Sequence, residues 1–311
     1  MNHASPATGR PDRSCPPDAP LLSILIPAYN AEATLPRTLE SIKRLVAPEH
    51  HRRLQVVMID DGSEDSTPSI MHNNLPDSIP RTILAGNHRG VSAARNLGLQ
   101  SSEGNFLLFL DADDELAADP IAFLLQHSHA DLIVTSTEYK RKGRLVEVRR
   151  PAAVSSGNIA RLLSAGNPFA ISSLMFRREC IDQPFSESRT HLEDWEFWSR
   201  NPRIFNGLIA HSDQAISTIH IHDNNASRNV SAMGQGRATF AAAMLAEQGS
   251  QLNYSARNNW RIQQAIGELQ ASMRRVRLST FTHLPCSPRL YAKLVIHSTY
   301  ALFNKTASRY S

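Results

Sequence analysis

Phe106-Leu107-Leu108-Phe109-Leu110-Asp111-Ala112-Asp113-Asp114 is the stretch on which the reading of this chain turns. Its five consecutive apolar residues, two of them aromatic, have the composition of a strand buried on both faces of a sheet. Three carboxylates then fall within four positions. Such a cluster repels itself and costs desolvation wherever water is partly excluded. A hard cation held by oxygen alone, Mg²⁺ or Mn²⁺, is the simplest remedy. In open α/β sheets ligands gather at the carboxyl ends of strands, which is where these acids fall. On this stretch alone a second reading stays open, in which Asp113 or Asp114 caps a helix begun by Glu115-Leu116.

The residues before it supply the rest of a doubly wound unit. Leu21-Leu22-Ser23-Ile24-Leu25-Ile26 reads as a first buried strand stopped by Pro27, and apolar residues at Leu35, Leu39, Ile42 and Leu45 give residues 32–45 helical spacing. A second strand over 54–59 ends in Asp60-Asp61-Gly62-Ser63, and a helix start is expected at Pro68. Thr82-Ile83-Leu84 is a short third strand, and Asn87-His88-Arg89-Gly90 turns into a helix through Ala93, Ala94, Leu97 and Leu99. Strand and helix alternate up to Leu110, which predicts a mostly parallel sheet covered by helices.

Beyond it the pattern loosens. A helix is expected over 120–126, a strand over 130–139, and a basic hairpin with Lys140-Arg141-Lys142-Gly143-Arg144 at its tip and Leu145-Val146-Glu147-Val148 returning. A helix over 159–163 and a strand over 167–176 follow, then a second acidic cluster set among aromatics, Glu193-Asp194-Trp195-Glu196-Phe197-Trp198. Residues 215–221 alternate weakly and lead into His222. Helices are expected over 238–247, 256–278 and 288–304.

The chain has 311 residues, 41% hydrophobic and 20% charged, the composition of a globular protein with a sizeable core. Three scattered cysteines make neither a disulfide framework nor a metal spacing, which favours a reducing compartment. The first 20 residues carry five prolines and no apolar core, so they read as a disordered leader rather than a signal peptide. No stretch approaches the ~18 to 20 apolar residues of a membrane span. From residue 231 onward ten Lys/Arg face two Glu, a surplus of eight, so the overall +4 leaves the preceding residues at −4. A basic tail on an acidic body points to an anionic partner. Nucleic acid is not expected, because aromatics do not interleave with the cations.

Four motifs now stand in one order: Ile26-Pro27-Ala28-Tyr29-Asn30, Asp60-Asp61-Gly62-Ser63, the run from Asn87 to Gly98, and Asp111-Ala112-Asp113-Asp114, with Glu193-Asp194-Trp195 some eighty residues later. Together they resemble a family 2 glycosyltransferase with the GT-A nucleotide-diphospho-sugar-binding fold, over roughly residues 21–230, with 231–311 as a basic helical extension. The resemblance implies an inverting, metal-dependent transfer from a nucleotide-sugar donor to a glycan or lipid-linked acceptor. It places Pro27, Tyr29, Asp60, Asp61, Arg95 and Asp111 at the donor; a base imide N–H suits the Asp61 carboxylate. Asp113, Asp111 and His222 would hold Mg²⁺ or Mn²⁺. Asp194 would be the general base, its pKa raised by aromatic surroundings, with Glu193 and Trp195 at the acceptor. Arg95 has a second expected role, pairing with an Asp of the cluster. The setting expected is cytoplasmic, and two readings of the basic C-terminal helices stay open: peripheral contact at the inner membrane face, or packing of their apolar face on the domain. Two rivals remain: a nucleotidyltransferase, which would want a Gly-rich basic loop where Pro27-Ala28-Tyr29-Asn30 stands, and a nucleotide-sugar-binding protein without turnover. A dinucleotide dehydrogenase is excluded because no Gly-X-Gly-X-X-Gly follows the first strand.

Overall fold

The computed structural model describes residues 20–222, 230–250 and 252–272. The expected helix over 288–304, the leader and the basic residues from Arg274 onward lie outside them. The described residues fall into two compact units that interleave along the chain.

The first unit takes 20–151, 171–181 and 208–220. It runs β1 (Leu22–Ala28), α1 (Leu35–Leu45), β2 (Leu54–Asp60), α2 (Thr67–Asn73), β3 (Arg81–Ala85), α3 (Val91–Ser101), β4 (Phe106–Phe109), β5 (Glu115–Leu116), α4 (Pro120–Gln126), β6 (Leu132–Arg141) and β7 (Arg144–Arg149). Two later strands join it: β8 (Leu174–Arg177) and β9, which spans Ile209–Ile221 and lies in this unit up to His220. The sheet order is β3-β2-β1-β4-β8-β6-β9-β5, with β7 on β6. Its first four strands are parallel: β1 pairs with β2 and β4, and β2 with β3. The chain leaves β1 toward one side for β2 and returns on the other as β4. That reversal opens a crevice at the carboxyl ends of β1 and β4, the usual ligand position in such sheets.

Apolar periodicity decides the helix faces. Leu35, Leu39 and Ile42 of α1 are fully buried against Ile24, Ile26, Val56 and Leu108 of the sheet. Helix α3 comes closer than a side chain would allow at one point: a Cβ on Gly98 would stand 2.8 Å from Cδ1 of Ile59 on β2. Helix α4 begins as its sequence demands, with Asp119 accepting from the N–H groups of Ile121 and Ala122 and Pro120 at the first helical position.

The α/β fold with its parallel half and C-terminal helices is the one expected, and two local expectations need correction. Glu115-Leu116 begins no helix. It forms β5, antiparallel to Thr218 and Ser217 of β9. The strand expected over 167–176 is confined to Leu174–Arg177, because Asn167-Pro168 and a 3₁₀ turn at Ile171–Ser173 occupy the earlier part. From β8 onward in the sheet the pairings among the described residues are antiparallel, which the sequence pattern did not separate from the parallel half.

The second unit takes 152–170, 182–207 and the residues from 221. It contains α5 (Ile159–Ala165), α6 (Glu193–Arg200), α7 (Val230–Gln248) and α8 (Tyr254–Ser272). Gln263 on α8 donates to the Ala165 carbonyl at 2.6 Å, and Asn259 to Oγ of Ser164 at 3.1 Å, tying α8 to the end of α5. Trp195, Phe240 and Trp260 meet in an aromatic cluster, with ring centroids 5.1 to 5.4 Å apart. None of the described helices is long and apolar enough to cross a membrane.

Candidate active site

At the end of β4 the chain turns through the acid loop. Carboxylate oxygens of Asp111, Asp113 and Asp114 lie within 4.8 Å of one another. The loop is braced from α1. Arg37 donates to the Asp113 carbonyl at 2.6 Å and Thr38 to the Ala112 carbonyl at 3.0 Å, while Oγ of Ser41 accepts from the Leu116 N–H at 2.9 Å. From the other side β9 reaches in: the His220 N–H donates to Oδ1 of Asp114 at 3.0 Å, and its ring Nε2 sits 2.7 Å from Oε1 of Glu115. Asp114 is buried, and burial, with the Asp113 and Asp111 charges behind it, pushes its carboxyl well above the usual range against the pull of the His220 N–H and Arg37. Arg95 on α3 supplies a compensating cation, with Nη2 2.8 Å from Oδ1 of Asp111. A loop so acidic, with carboxylates converging on one point, has the donor chemistry of a site for a hard divalent cation.

Pro27 and the rest of β1 are buried, with Pro27 opposite Ile59 and Ala28 opposite Asp60. The chain then surfaces at Tyr29, which is 46% exposed and leans on the His88 ring with centroids 4.4 Å apart. An exposed aromatic beside a second ring, at the carboxyl end of a central parallel strand, is a platform on which a planar group can lie. The Asn30 N–H donates to Oγ of Ser63 and the Glu64 N–H to Oδ1 of Asn30, both at 2.9 Å, so the loops after β1 and β2 hold each other. The sequence placed His88 only in the turn into α3. Its contact with the Tyr29 ring, tilted at 38°, joins two loops that lie far apart in sequence.

Asp60 and Asp61 have separate tasks. Asp60 accepts from the Ser63 N–H at 3.1 Å and closes its own turn. Asp61 is buried and receives the Arg89 N–H at 3.0 Å and the Gly90 N–H at 2.7 Å, so it organises the entry to α3 rather than a helix near Pro68. The α2 cap, Ser66, makes no side-chain hydrogen bond to that helix.

The second acidic cluster opens α6. Glu193 and Asp194 occupy its first turn, where acids suit the helix dipole. Asp194 accepts from the Asn167 side-chain amide at 2.8 Å and from the Trp195 N–H at 2.7 Å, which fixes its carboxylate. Asn167 was read from sequence only as the first residue of an expected strand. Glu196 faces the other way and is buried between Arg189 and Arg200. Trp195 is 1% exposed and its indole N–H donates to the Leu163 carbonyl at 2.8 Å, so it is a core side chain of the second unit. His222 follows β9 and is half-buried.

Comparison with known proteins bears on the family and the fold. The model of the family described as Glycosyl transferase family 2 matches residues 23–183. An uncharacterised glycosyltransferase of Haemophilus influenzae is 30% identical over 219 residues, covering 68% of this chain and 83% of that protein. Among solved structures, the 1–349 fragment of S. aureus TarS in complex with UDP superimposes with a TM-score of 0.56 at 20% identity, covering 83% of this chain and 76% of that one. The mannosyltransferase PcManGT from Pyrobaculum calidifontis, in complex with GDP-Man and Mn²⁺, gives a TM-score of 0.56 at 15% identity, covering 94% of this chain and 84% of that one. At these identities the two structures are similar in fold.

Proposed function

The chain belongs to glycosyltransferase family 2, and from that premise we propose that it moves a sugar from a nucleotide-diphosphate donor to an acceptor hydroxyl with inversion at the anomeric carbon. The observation that carries the proposal is the braced acid loop after β4, beside the exposed Tyr29 at the end of β1, on the two strands that flank the sheet's reversal point. The TarS and PcManGT structures, of similar fold, hold UDP and GDP-Man respectively, which supports a nucleotide-linked donor.

In this reading Tyr29 and His88 would receive the base, with Pro27 shaping the floor and Asp60 and Asp61 holding the loops around it. Arg95 would hold Asp111 in register while its charge offsets one of the three acids. Asp113 and Asp111 would hold Mg²⁺ or Mn²⁺, with His222 as a further ligand; Asp114, bound by the His220 N–H, supports them. The cation would neutralise the charge that gathers on the departing nucleoside diphosphate. Asp194, held by Asn167, would accept the proton of the acceptor hydroxyl as that oxygen bonds to the anomeric carbon and the phosphate oxygen departs. Glu193 would position the acceptor. Trp195, expected at the acceptor, would act through the core by fixing the first turn of α6.

The proposed catalytic segment is 21–230, with 1–20 as a leader and 231–311 as an extension. Its ten cations against two acids would favour an anionic membrane face, in keeping with a glycan or lipid-linked acceptor on the cytoplasmic side.

The test is a panel of UDP-, GDP- and dTDP-sugars scored by release of nucleoside diphosphate, with Mn²⁺, with Mg²⁺ and with chelator, for wild type, Asp113→Ala and Asp194→Ala. Metal-dependent release from one donor, lost in both variants, supports the proposal and identifies the nucleotide. A donor that binds without release, even with membrane extract as acceptor, would favour a binding protein.

A further inference from the structure

None of the residues assigned to the proposed reaction lies on the hairpin of β6 and β7. Every residue of β7 is exposed. Three of them are aliphatic: Leu145 and Val146 are 54% exposed and Val148 is 48% exposed. Around them, residues 140–150 carry six cations, Lys140, Arg141, Lys142, Arg144, Arg149 and Arg150, against the single acid Glu147. Arg149 is committed to the ribbon itself, with its guanidinium 4.4 Å from the Tyr139 ring centroid and bonded to Glu147 and the Tyr139 hydroxyl. Arg141, Lys142 and Arg144 make no ion pair among the described residues.

The tip that presents these cations is a defined turn. Arg141 pairs with Arg144, and the two residues between them, Lys142 and Gly143, have φ of 49° and 77°. Positive φ at both positions matches the twist of a tight two-residue hairpin. A register shift beside Lys140 leaves Val146 outside the pairing, opposite no partner on β6. The turn presents cations and the exposed strand beside it presents aliphatic side chains, so a hairpin lying along a membrane surface sets both at the boundary between headgroup phosphates and acyl chains.

We propose that the β6–β7 hairpin docks on an anionic lipid surface, with Arg141, Lys142 and Arg144 among the headgroup phosphates and Leu145, Val146 and Val148 entering the acyl boundary. Charge complementarity selects this occupant. Edge-to-edge pairing with a second copy would bring two sets of like cations together. A nucleic acid would want exposed aromatics among the cations, and Tyr139 lies under Arg149. A soluble polyanion would leave the exposed aliphatic side chains without a purpose. The proposal uses none of the cations beyond residue 230 and does not rest on the transfer reaction.

The test is sedimentation of the full chain with vesicles of phosphatidylglycerol and phosphatidylcholine, and with phosphatidylcholine alone. Three variants run beside wild type: Arg141→Gln/Lys142→Asn/Arg144→Gln, Leu145→Ser/Val146→Ser/Val148→Ser, and Arg274→Gln/Arg275→Gln/Arg277→Gln. All changes in the first two are at exposed positions, and thermal melting verifies that they fold. The expected result is binding to the anionic vesicles only, weakened about 100-fold by the cation variant and at least about tenfold by the serine variant. Wild type that stays in the supernatant overturns the proposal, and so does binding that only the C-terminal variant reduces. Loss in the cation variant with none in the serine variant, together with heparin capture, would assign the hairpin to a soluble polyanion instead.

Discussion

Nη2 of Arg95 lies 2.8 Å from Oδ1 of Asp111, and the arginine side chain is 3% exposed while the aspartate's is 34% exposed. The pair links α3 to the acid loop, so the same contact sets the loop's position and relieves its charge. Because Asp111 is partly solvated, losing the cation should cost about 1 to 3 kcal/mol, less than for a fully buried pair. Arg95→Met should therefore melt several degrees below wild type, and Mn²⁺ should raise the variant's Tm by more than it raises the wild type's. Thermal melting with Mn²⁺ and with chelator measures both. Equal metal-induced shifts in the two proteins would mean that Arg95 does not balance the acids.

Asp61 places each carboxylate oxygen on a separate backbone N–H, those of Arg89 and Gly90. Asp61→Asn keeps the size but turns one acceptor into a donor facing a donor. An expected loss of about 1 to 3 kcal/mol follows from the buried N–H left without an acceptor. Urea denaturation measures it, and donor KM should rise as the Tyr29–His88 platform loosens. A variant with unchanged midpoint and unchanged KM would show that the loop is held by its other contacts.

Asp194→Asn preserves shape and can retain a hydrogen bond with Asn167 while losing the basic oxygen. The expected fall in kcat/KM is about 10²- to 10⁴-fold, with Tm near that of wild type. Asn167→Ala should lower kcat by a smaller factor and leave donor KM unchanged. Nucleoside diphosphate release at varied donor and acceptor concentrations reads the kinetic constants, and thermal melting reads Tm. Full activity in Asp194→Asn would remove it from the role of base.

Trp195 fills the aromatic cluster with Phe240 and Trp260, so Trp195→Ala should cost about 3 to 5 kcal/mol. Trp195→Phe keeps an apolar ring but deletes the N–H that meets the Leu163 carbonyl; it should lose less. Its acceptor KM should match wild type once the folded fraction is corrected for. A raised acceptor KM in a fully folded Phe variant would instead place Trp195 in contact with the acceptor.

The apolar runs of β1, β2 and β4 and the start of α4 at Pro120 were legible because each signal lies within a few residues of its effect. The acids at 111, 113 and 114 were legible for the same reason: position after a buried strand and residue type were enough. What escaped depends on distant chain. Two residues, Glu115-Leu116, carry no strand signal of their own, and they are a strand only because Thr218 and Ser217 pair with them. The Asp61 carboxylate meets N–H groups 28 and 29 positions on, and Asp194 meets Asn167 across 27. No local pattern marks such partners. Arg95 was readable in two roles, at the donor and beside an Asp of the cluster, and the structure shows its ion pair with Asp111.

The hydrogen bond from the His220 N–H to Asp114 spans 106 positions, and this has a consequence for biosynthesis. While a ribosome is still making β9, the acid loop has its α1 braces but lacks its last fixed neighbour, and β5 lacks its strand partner. Contacts this remote in sequence form late and slowly. The nascent chain therefore emerges with its acid loop unfinished. A product ending anywhere before His220 lacks the N–H that holds Asp114, and its acid loop should be cut faster by added protease than that of the 311-residue chain.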